Sequence, residues 1–108
     1  MTAPEITAAE VAAGLRAGTI VAVDVREQGE WDAGHIEGAL WIPLGDLVER
    51  VGELPPGPLA LVCRSGARSG MAADWLHRSG VEAANMTGGM QAWHATGLPL
   101  EPASGRVV

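Results

Sequence analysis

The chain has 108 residues, 47% of them hydrophobic, and a net charge of −6 with seven arginines and no lysine. The acidic balance argues against nucleic acid as a partner. The N-terminus lacks the basic and apolar stretches of a secretory signal, and no apolar run approaches the ~20 residues of a membrane helix, so we expect no membrane partner. The only cysteine cannot form an intramolecular disulfide, and a free thiol fits a reducing, cytoplasmic compartment.

The first two predicted elements are a helix and a buried strand. Residues 6–17 form the helix, because Thr7 and Glu10 have the spacing of a capping box and Gly18 is suited to end a helix. Residues 19–25 are rich in β-branched side chains and do not alternate between apolar and polar. That pattern is typical of a strand that is covered on both faces, as in a parallel sheet.

Charged residues cluster around the end of this strand. Asp24 needs a partner inside the predicted strand, and Arg26 is the obvious candidate. Together with Glu30, these two residues are expected to form an ion-pair group that supports the end of the sheet and takes no part in catalysis. His35 lies in a glycine-bounded loop over 34–38 and is expected to orient that loop.

The middle of the chain is predicted to contain a short strand and a longer helix. Residues 27–33 form either a short helix or a turn, and residues 39–42 form the strand. Residues 44–54 have the apolar spacing of an amphipathic helix, with four side chains on one face: Leu44, Leu47, Val48 and Val51. The proline-rich turn over 55–58 ends this helix.

The second half of the chain begins with an apolar run over 59–62, which predicts a central strand. Cys63 follows this strand directly, and a short loop leads into the next helix. The remaining predicted elements are a helix that ends near Arg78, a weak strand over 81–86, a turn at Gly88 and Gly89, and a short helix over 90–95.

Alternating strands and helices predict an α/β fold with a central parallel sheet of four to five strands and helices on both faces. We expect one domain over 1–108, with a core over about 6–100 and a frayed polar tail over 101–108. In such sheets the ligand lies at the carboxyl ends of the strands, which is where Cys63 stands.

Three features of the loop after Cys63 favour a reactive thiolate. The loop leads into a helix N-terminus, which attracts negative charge. Gly66 and its small neighbours let several backbone N–H groups converge on the sulfur, and Arg64 and Arg68 add positive charge. A lone cysteine after an apolar strand is commonly a small buried hydrophobe. That role requires neither two arginines nor a glycine turn, so we predict a functional thiol.

Three motifs follow one another in order along the chain. They are Asp24-Val25-Arg26 with Glu30, Gly34-His35-Ile36-Glu37-Gly38-Ala39 and Ile42-Pro43-Leu44; the loop Cys63-Arg64-Ser65-Gly66-Ala67-Arg68-Ser69; and Gly88-Gly89 with Trp93, Gly97 and Pro99. Together they resemble the signatures of single-domain rhodaneses, a thiosulfate sulfurtransferase-like family, over about residues 6–100. The resemblance implies a rhodanese-like α/β fold with a central parallel sheet.

The resemblance also implies a two-step sulfur transfer without a cofactor. Cys63 would take sulfane sulfur from a small anionic donor, thiosulfate or a polysulfide, and pass it from a persulfide to cyanide or to a thiol, either a small thiol or a thioredoxin-like protein. The substrate-binding residues would be Arg64, Ser65, Gly66, Ala67, Arg68 and Ser69. Either Arg64 or Arg68 could bind the sulfonate oxygens of the donor. The histidines and the cysteine show no metal-ligand spacing.

Two alternatives remain open from the sequence. One is a non-catalytic rhodanese-fold module for binding or regulation; Cys63 counts against it, because such modules often lack the cysteine. The other is a cysteine-dependent phosphatase or arsenate reductase, in which an arginine occupies the sixth position after the cysteine. Here that position is Ser69, and Arg68 comes one residue early. The shorter loop forms a narrower cradle, which suits a sulfur atom better than a tetrahedral oxyanion.

Overall fold

The computed structural model describes residues 2–108, which contain five strands and four α-helices. The strands are β1 (Glu5–Ile6), β2 (Val21–Asp24), β3 (Leu40–Trp41), β4 (Leu59–Val62) and β5 (Ala83–Met86). The helices are α1 (Ala8–Ala17), α2 (Gln28–Ala33), α3 (Ala67–Arg78) and α4 (Gly89–Ala95). Within residues 2–108, none of these helices is long and apolar enough to cross a membrane. The strands pair in parallel in the order β1-β5-β4-β2-β3, which confirms the predicted α/β fold.

Helices cover both faces of this sheet. On one face, Ala73 and Leu76 of α3 share a buried cluster with Leu61 of β4. On the other face, α1 and α4 share a second buried cluster with Ala60 and Val62. Because both faces of β4 are covered, all four of its residues are buried and its sequence shows no alternation.

The central position of β4 brings three strand ends together at one edge of the sheet. Asp24 at the end of β2 is in register with Val62, and Asn85 near the end of β5 is in register with Leu61. Cys63 therefore leaves the sheet at the middle of this edge, between Asp24 and Asn85. This is the edge at which parallel α/β sheets bind their ligands.

The start of the chain forms a strand that the sequence did not predict. The capping box of α1 is confirmed, since the Thr7 hydroxyl accepts the Glu10 N–H and the Glu10 carboxylate accepts the Thr7 N–H. The predicted helix began two residues too early, because α1 starts at Ala8 and Ile6 belongs to β1. Glu5 in β1 is in register with Asn85 of β5. A two-residue strand is too short to show any periodicity, yet it brings Glu5 to the edge that carries Cys63.

The predicted helix over 44–54 is wrong. Two short 3-10 turns, Leu44–Asp46 and Val51–Glu53, occupy this stretch. Val48 is 65% exposed, whereas Leu47 is buried. Glycines at 45 and 52 weaken a helix, and a face with so little buried apolar surface does not compensate for them.

The predicted frayed tail over 101–108 is also wrong where that tail meets the loop after α2. His35 and Glu101 exchange two backbone hydrogen bonds of 3.1 and 2.8 Å, and the Arg106 N–H donates to the carbonyl of Ala33 at 2.9 Å. Gly34 permits this approach, because a Cβ there would lie 2.8 Å from the Arg106 carbonyl oxygen. Backbone pairing of this kind leaves no pattern in side-chain polarity.

Candidate active site

The sulfur of Cys63 lies at the bottom of a short loop between β4 and α3. Cys63 is a free cysteine with 1% of its surface exposed. Gly66 has a φ of 106°, which glycine adopts easily, and this turn directs its N–H toward the Cys63 Sγ at 3.1 Å. The hydroxyl oxygen of Ser69, in the first turn of α3, lies 3.2 Å from the same sulfur. One of the predicted backbone donors, the Gly66 N–H, thus faces the sulfur, together with the Ser69 hydroxyl, to which the sequence did not assign this contact.

Burial and hydrogen bonding act on this thiol in opposite directions. Burial raises the pKa of Cys63, whereas hydrogen bonds from the Ser69 hydroxyl and from the N–H groups of Ser69, Gly66 and Ser65 lower it. The hydrogen bonds outweigh burial, so the pKa lies below that of an ordinary cysteine. A larger share of thiolate at neutral pH follows, and the thiolate is the nucleophilic form.

The N-terminus of α4 supports the loop from behind. The N–H of Met90 donates to the Cys63 carbonyl at 2.8 Å, and the N–H of Gln91 donates to the Arg64 carbonyl at 3.0 Å. Gly89 lies against the same backbone, and a Cβ at this position would overlap the carbonyl oxygen of Cys63 and lie 2.7 Å from the carbonyl carbon of Arg64. The glycine pair predicted as a tight turn thus lets one helix end contact the loop that follows Cys63.

Arg68 is held by a carboxylate from α2. Its Nη1 and Nη2 atoms each donate to a different oxygen of Glu30 at 2.8 Å. The hydrogen bond to Arg68 keeps the pKa of Glu30 below its usual value. The expectation that the Glu30 carboxylate joins the Asp24–Arg26 group is wrong, because Arg26 contacts only the backbone carbonyl of Glu30. Glu30 and Arg68 lie far apart in sequence, and both are common surface residues, so no local pattern predicts their pairing.

The Asp24–Arg26 pair is present as expected and is fully buried. The Arg26 Nη2 lies 2.7 Å from Asp24 Oδ2, and its Nε donates to both carboxylate oxygens. The same guanidinium donates to the carbonyls of Glu30 and Gly34 at 3.2 and 2.9 Å. Arg26 therefore connects the end of β2 to α2 at Glu30 and to Gly34, the residue that ends this helix.

Two polar residues that the sequence did not assign to the site extend from Ser69: Asn85 contacts it, and Glu5 contacts Asn85. The Ser69 hydroxyl oxygen is 2.6 Å from Oδ1 of Asn85 in β5, and Nδ2 of Asn85 donates to the carboxylate of Glu5 in β1. In the sequence, Asn85 is one residue of the weak strand predicted over 81–86 and has no other distinguishing feature. Glu5 is placed next to Asn85 by the pairing of β1 with β5, which the sequence did not predict.

The other predicted loop residues face outward. Arg64, Ser65 and Ala67 are exposed, and the Arg64 side chain forms no ion pair within residues 2–108. The contacts of His35 are with Trp31 and not with the thiol. Its Nδ1 lies 2.8 Å from the Trp31 carbonyl oxygen, and its ring stacks on Trp31 with centroids 3.7 Å apart. These contacts support the expected role of His35 in orienting its loop.

Comparison with known proteins assigns the family. The model of the rhodanese-like domain matches residues 7–96, and this chain belongs to that family. A sulfurtransferase of Allochromatium vinosum is 36% identical over 83 residues, covering 75% of this chain and 78% of that protein. The uncharacterized protein YqhL of Bacillus subtilis is 40% identical over 90 residues, covering 82% and 70%. The HTH-type transcriptional regulator Rv0324 of Mycobacterium tuberculosis is 38% identical over 100 residues, and the chain spans only 44% of its length.

Solved structures show the same fold. The rhodanese-related protein of Thermoplasma volcanium superposes with a TM-score of 0.84 at 30% identity, covering 90% of this chain and 96% of that one. A thiosulfate sulfurtransferase of Pseudomonas aeruginosa superposes with a TM-score of 0.82 at 31% identity, covering 97% of this chain and 21% of that one. The single-domain rhodanese fold implied by the sequence motifs is therefore confirmed.

Proposed function

We propose that the protein transfers sulfane sulfur through a persulfide on Cys63. The observation that carries this proposal is the environment of the sulfur, a free thiol that faces the Gly66 N–H and the Ser69 hydroxyl at the central edge of the sheet. Such donors stabilise negative charge on sulfur, which the attacking thiolate requires. Membership of the rhodanese family and similarity to proteins named sulfurtransferases support the same activity.

The first step is a displacement at the outer sulfur of the donor. The Cys63 thiolate supplies the electron pair for a new S–S bond, and the S–S bond of the donor breaks, so sulfite leaves when the donor is thiosulfate. In the second step an acceptor takes the outer sulfur and the Cys63 thiolate is released. Cyanide serves as the acceptor in an assay, and a small thiol or a thioredoxin-like protein is the proposed acceptor in the cell. Both steps balance without an oxidant.

The exposed side of the loop is the proposed substrate-binding surface. N–H groups at the start of α3 have no partner within the helix and can stabilise charge on the outer sulfur. Arg64, Ser65 and Ala67 lie on this side and are accessible to a donor. Arg68 is two-thirds covered and bound to Glu30, so an anionic donor would share its guanidinium with a carboxylate.

Intact-protein mass spectrometry tests the proposal directly. Incubation with thiosulfate or polysulfide is expected to add one sulfur atom to the wild-type chain, and excess cyanide is expected to remove it. Cys63→Ser, which keeps the size of the side chain but is a far weaker nucleophile, is expected to remain unmodified. An unchanged wild-type mass with both donors would refute the sulfurtransferase assignment, because the persulfide is its required intermediate.

A regulatory module without catalysis is the second candidate, and the similarity to the regulator Rv0324 is the observation that favours it. Genetic complementation separates the two functions. If the chain is an enzyme, Cys63→Ala is expected to abolish its biological role, whereas a binding module with this substitution would keep its role.

The phosphatase alternative is tested with an aryl phosphate. Turnover of that substrate without thiocyanate formation from thiosulfate and cyanide would favour the phosphatase.

Replacement of Arg68 by alanine is expected to raise the KM for thiosulfate by roughly tenfold or more, the usual weight of a charge-assisted hydrogen bond. It also leaves the Glu30 carboxylate unpaired beside the loop, where its charge repels an anion. The KM for an uncharged organic trisulfide is expected to change less. Steady-state kinetics with both donors measure the difference.

Glu30→Gln is the matched variant for this measurement. The amide keeps the size of the side chain and an oxygen that accepts from Arg68, but it removes the competing negative charge. It is expected to lower the KM for thiosulfate and to leave the trisulfide KM nearly unchanged. Equal effects of either variant on both donors would mean that Arg68 and Glu30 organise the loop and do not bind the donor anion.

A further inference from the structure

Three polar side chains from three separate elements form a chain behind Cys63. The Ser69 hydroxyl oxygen of α3 lies 3.2 Å from the Cys63 sulfur and 2.6 Å from Oδ1 of Asn85. The Nδ2 of Asn85 lies 3.2 and 3.3 Å from the two carboxylate oxygens of Glu5. Ser69 is fully buried and Asn85 is 7% exposed, so bulk water has little access to the contact between them, whereas Glu5 is exposed.

The contacts of Asn85 fix the orientation of its amide. Its Nδ2 faces two acceptors, the Glu5 carboxylate and the Gly66 carbonyl at 3.1 Å, and only the nitrogen can donate to them. The oxygen of the amide must therefore face Ser69. Glu5 is held in turn by the Thr87 hydroxyl, which donates to Oε1 at 2.9 Å, and by the register of β1 on β5.

The Ser69 hydroxyl has two acceptors and a single proton. Oδ1 of Asn85 can only accept, whereas the Cys63 thiol can itself donate to the Ser69 oxygen, so the Ser69 proton lies on the Asn85 side while Cys63 is a thiol. When Cys63 loses its proton, the hydroxyl must turn to the sulfur to stabilise the charge. That turn leaves the buried Oδ1 of Asn85 without its donor.

We propose that Asn85, oriented by Glu5, is a positioning residue that competes with the Cys63 sulfur for the Ser69 proton. The competition favours states in which Sγ is uncharged, namely the thiol and the persulfide, whose charge lies on the outer sulfur. In the sulfur-loading step the hydroxyl therefore returns to Asn85 as Sγ becomes a bridging atom. This part rests on the proposed sulfurtransferase function, whereas the competition itself does not.

Other charged groups also surround the thiol. Arg68 of α3 with Glu30 of α2 lies on the loop side, the Asp24–Arg26 pair stands at the end of β2, and Arg64 is exposed in the loop. The adjoining end of α4 contributes backbone N–H groups. None of these charged groups contacts Ser69 or Asn85 in a hydrogen bond within residues 2–108. Asn85 is also linked to the loop backbone, because its Nδ2 donates to the Gly66 carbonyl, whereas Glu5 acts on the loop only through Asn85.

Alkylation of the only cysteine measures the competition without any sulfur donor. The rate with iodoacetamide is recorded against pH, and at a pH well below the apparent pKa it reports the thiolate fraction. Ser69→Ala removes the donor to the thiolate and is expected to slow alkylation there by about fivefold, the weight of one hydrogen bond. Asn85→Ala removes the competing acceptor and is expected to accelerate alkylation by about threefold.

The opposite signs distinguish competition from simple support of the loop. A merely structural role for Asn85 would loosen the loop, so Asn85→Ala would slow alkylation as Ser69→Ala does, and that result would overturn the proposal. In the Ser69→Ala background the Asn85→Ala acceleration is expected to vanish. An acceleration of the same size there would also overturn it, because the effect would not pass through Ser69.

Glu5→Gln provides a second variant that keeps the fold intact if Asn85→Ala does not fold. Its amide oxygen can still accept from Asn85, but the lost charge makes Oδ1 a weaker competitor, so faster alkylation below the apparent pKa is expected, again only with Ser69 present. No change, or slower alkylation, would contradict the proposal. These outcomes are independent of the persulfide test. A chain that takes up no sulfur can still show the competition for the Ser69 proton, and a chain that forms the persulfide can lack that competition.

Discussion

Replacing Arg26 by alanine is expected to lower the free energy of unfolding by about 3–5 kcal/mol. The side chain is fully buried and binds the buried carboxylate of Asp24 at 2.7–3.0 Å. Without the guanidinium, that carboxylate would remain inside the sheet edge without its counter-charge. The carbonyls of Glu30 and Gly34 would also lose a donor. Denaturant unfolding followed by tryptophan fluorescence measures the loss.

Arg50→Ala is the matched control for this experiment. Arg50 also forms an ion pair, with Glu53 at 2.9 Å, but the two side chains are 36% and 54% exposed. Water and salt screen such a pair, so its removal is expected to leave the unfolding midpoint almost unchanged. Similar losses of unfolding free energy in the two variants would show that burial does not determine how much the Asp24–Arg26 pair stabilises the fold.

Gly89→Ala is expected to have the second-largest effect, on both stability and activity. Its φ of 56° is unfavourable for an alanine, at about 1–2 kcal/mol. In addition, the new Cβ would overlap the Cys63 carbonyl oxygen, and backbone cannot rotate away as a side chain can. The loop must shift, and a misplaced nucleophile is expected to lose sulfur-transfer rate by about 10²-fold. Thermal unfolding and the initial rate with thiosulfate measure the two effects.

Gly97→Ala separates the steric contact from the backbone conformation. Gly97 follows the same helix with a φ of 81°, and a Cβ there would meet nothing within 4 Å. This variant is expected to show the conformational cost alone and to retain the wild-type rate. If Gly89→Ala behaved like Gly97→Ala in both measurements, the loop would not depend on its contact with α4.

The parts of the fold that the sequence predicted are those in which local pattern and burial agree. The apolar run before Cys63 is uniformly buried, and the capping box of Thr7 and Glu10 is a contact between near neighbours in the chain. The break in the predicted helix over 44–54 shows where pattern fails. Its apolar spacing is helical, but Val48 has no core to face, and tertiary contact decides whether a weak helix forms.

The parts of the site that escaped prediction depend on contacts between distant residues. Arg68 meets Glu30 across 38 positions, and Asn85 meets Glu5 across 80. The docking of the C-terminal segment on His35 uses backbone groups that every residue carries. The thiol and its loop were visible because their residue types and spacing are distinctive, whereas the groups that hold the loop are ordinary residues placed by the sheet.

The gathering of the site from both ends of the chain has a consequence for biosynthesis. Glu5 lies near the start of the chain, whereas Gly89 and Met90 come after β5. While the chain is being made, Cys63 leaves the ribosome before the segments that complete its surroundings, and contacts across such separations form late in folding. The nascent loop is therefore expected to lack the contacts from β5 and α4 that hold its backbone until the sheet is complete.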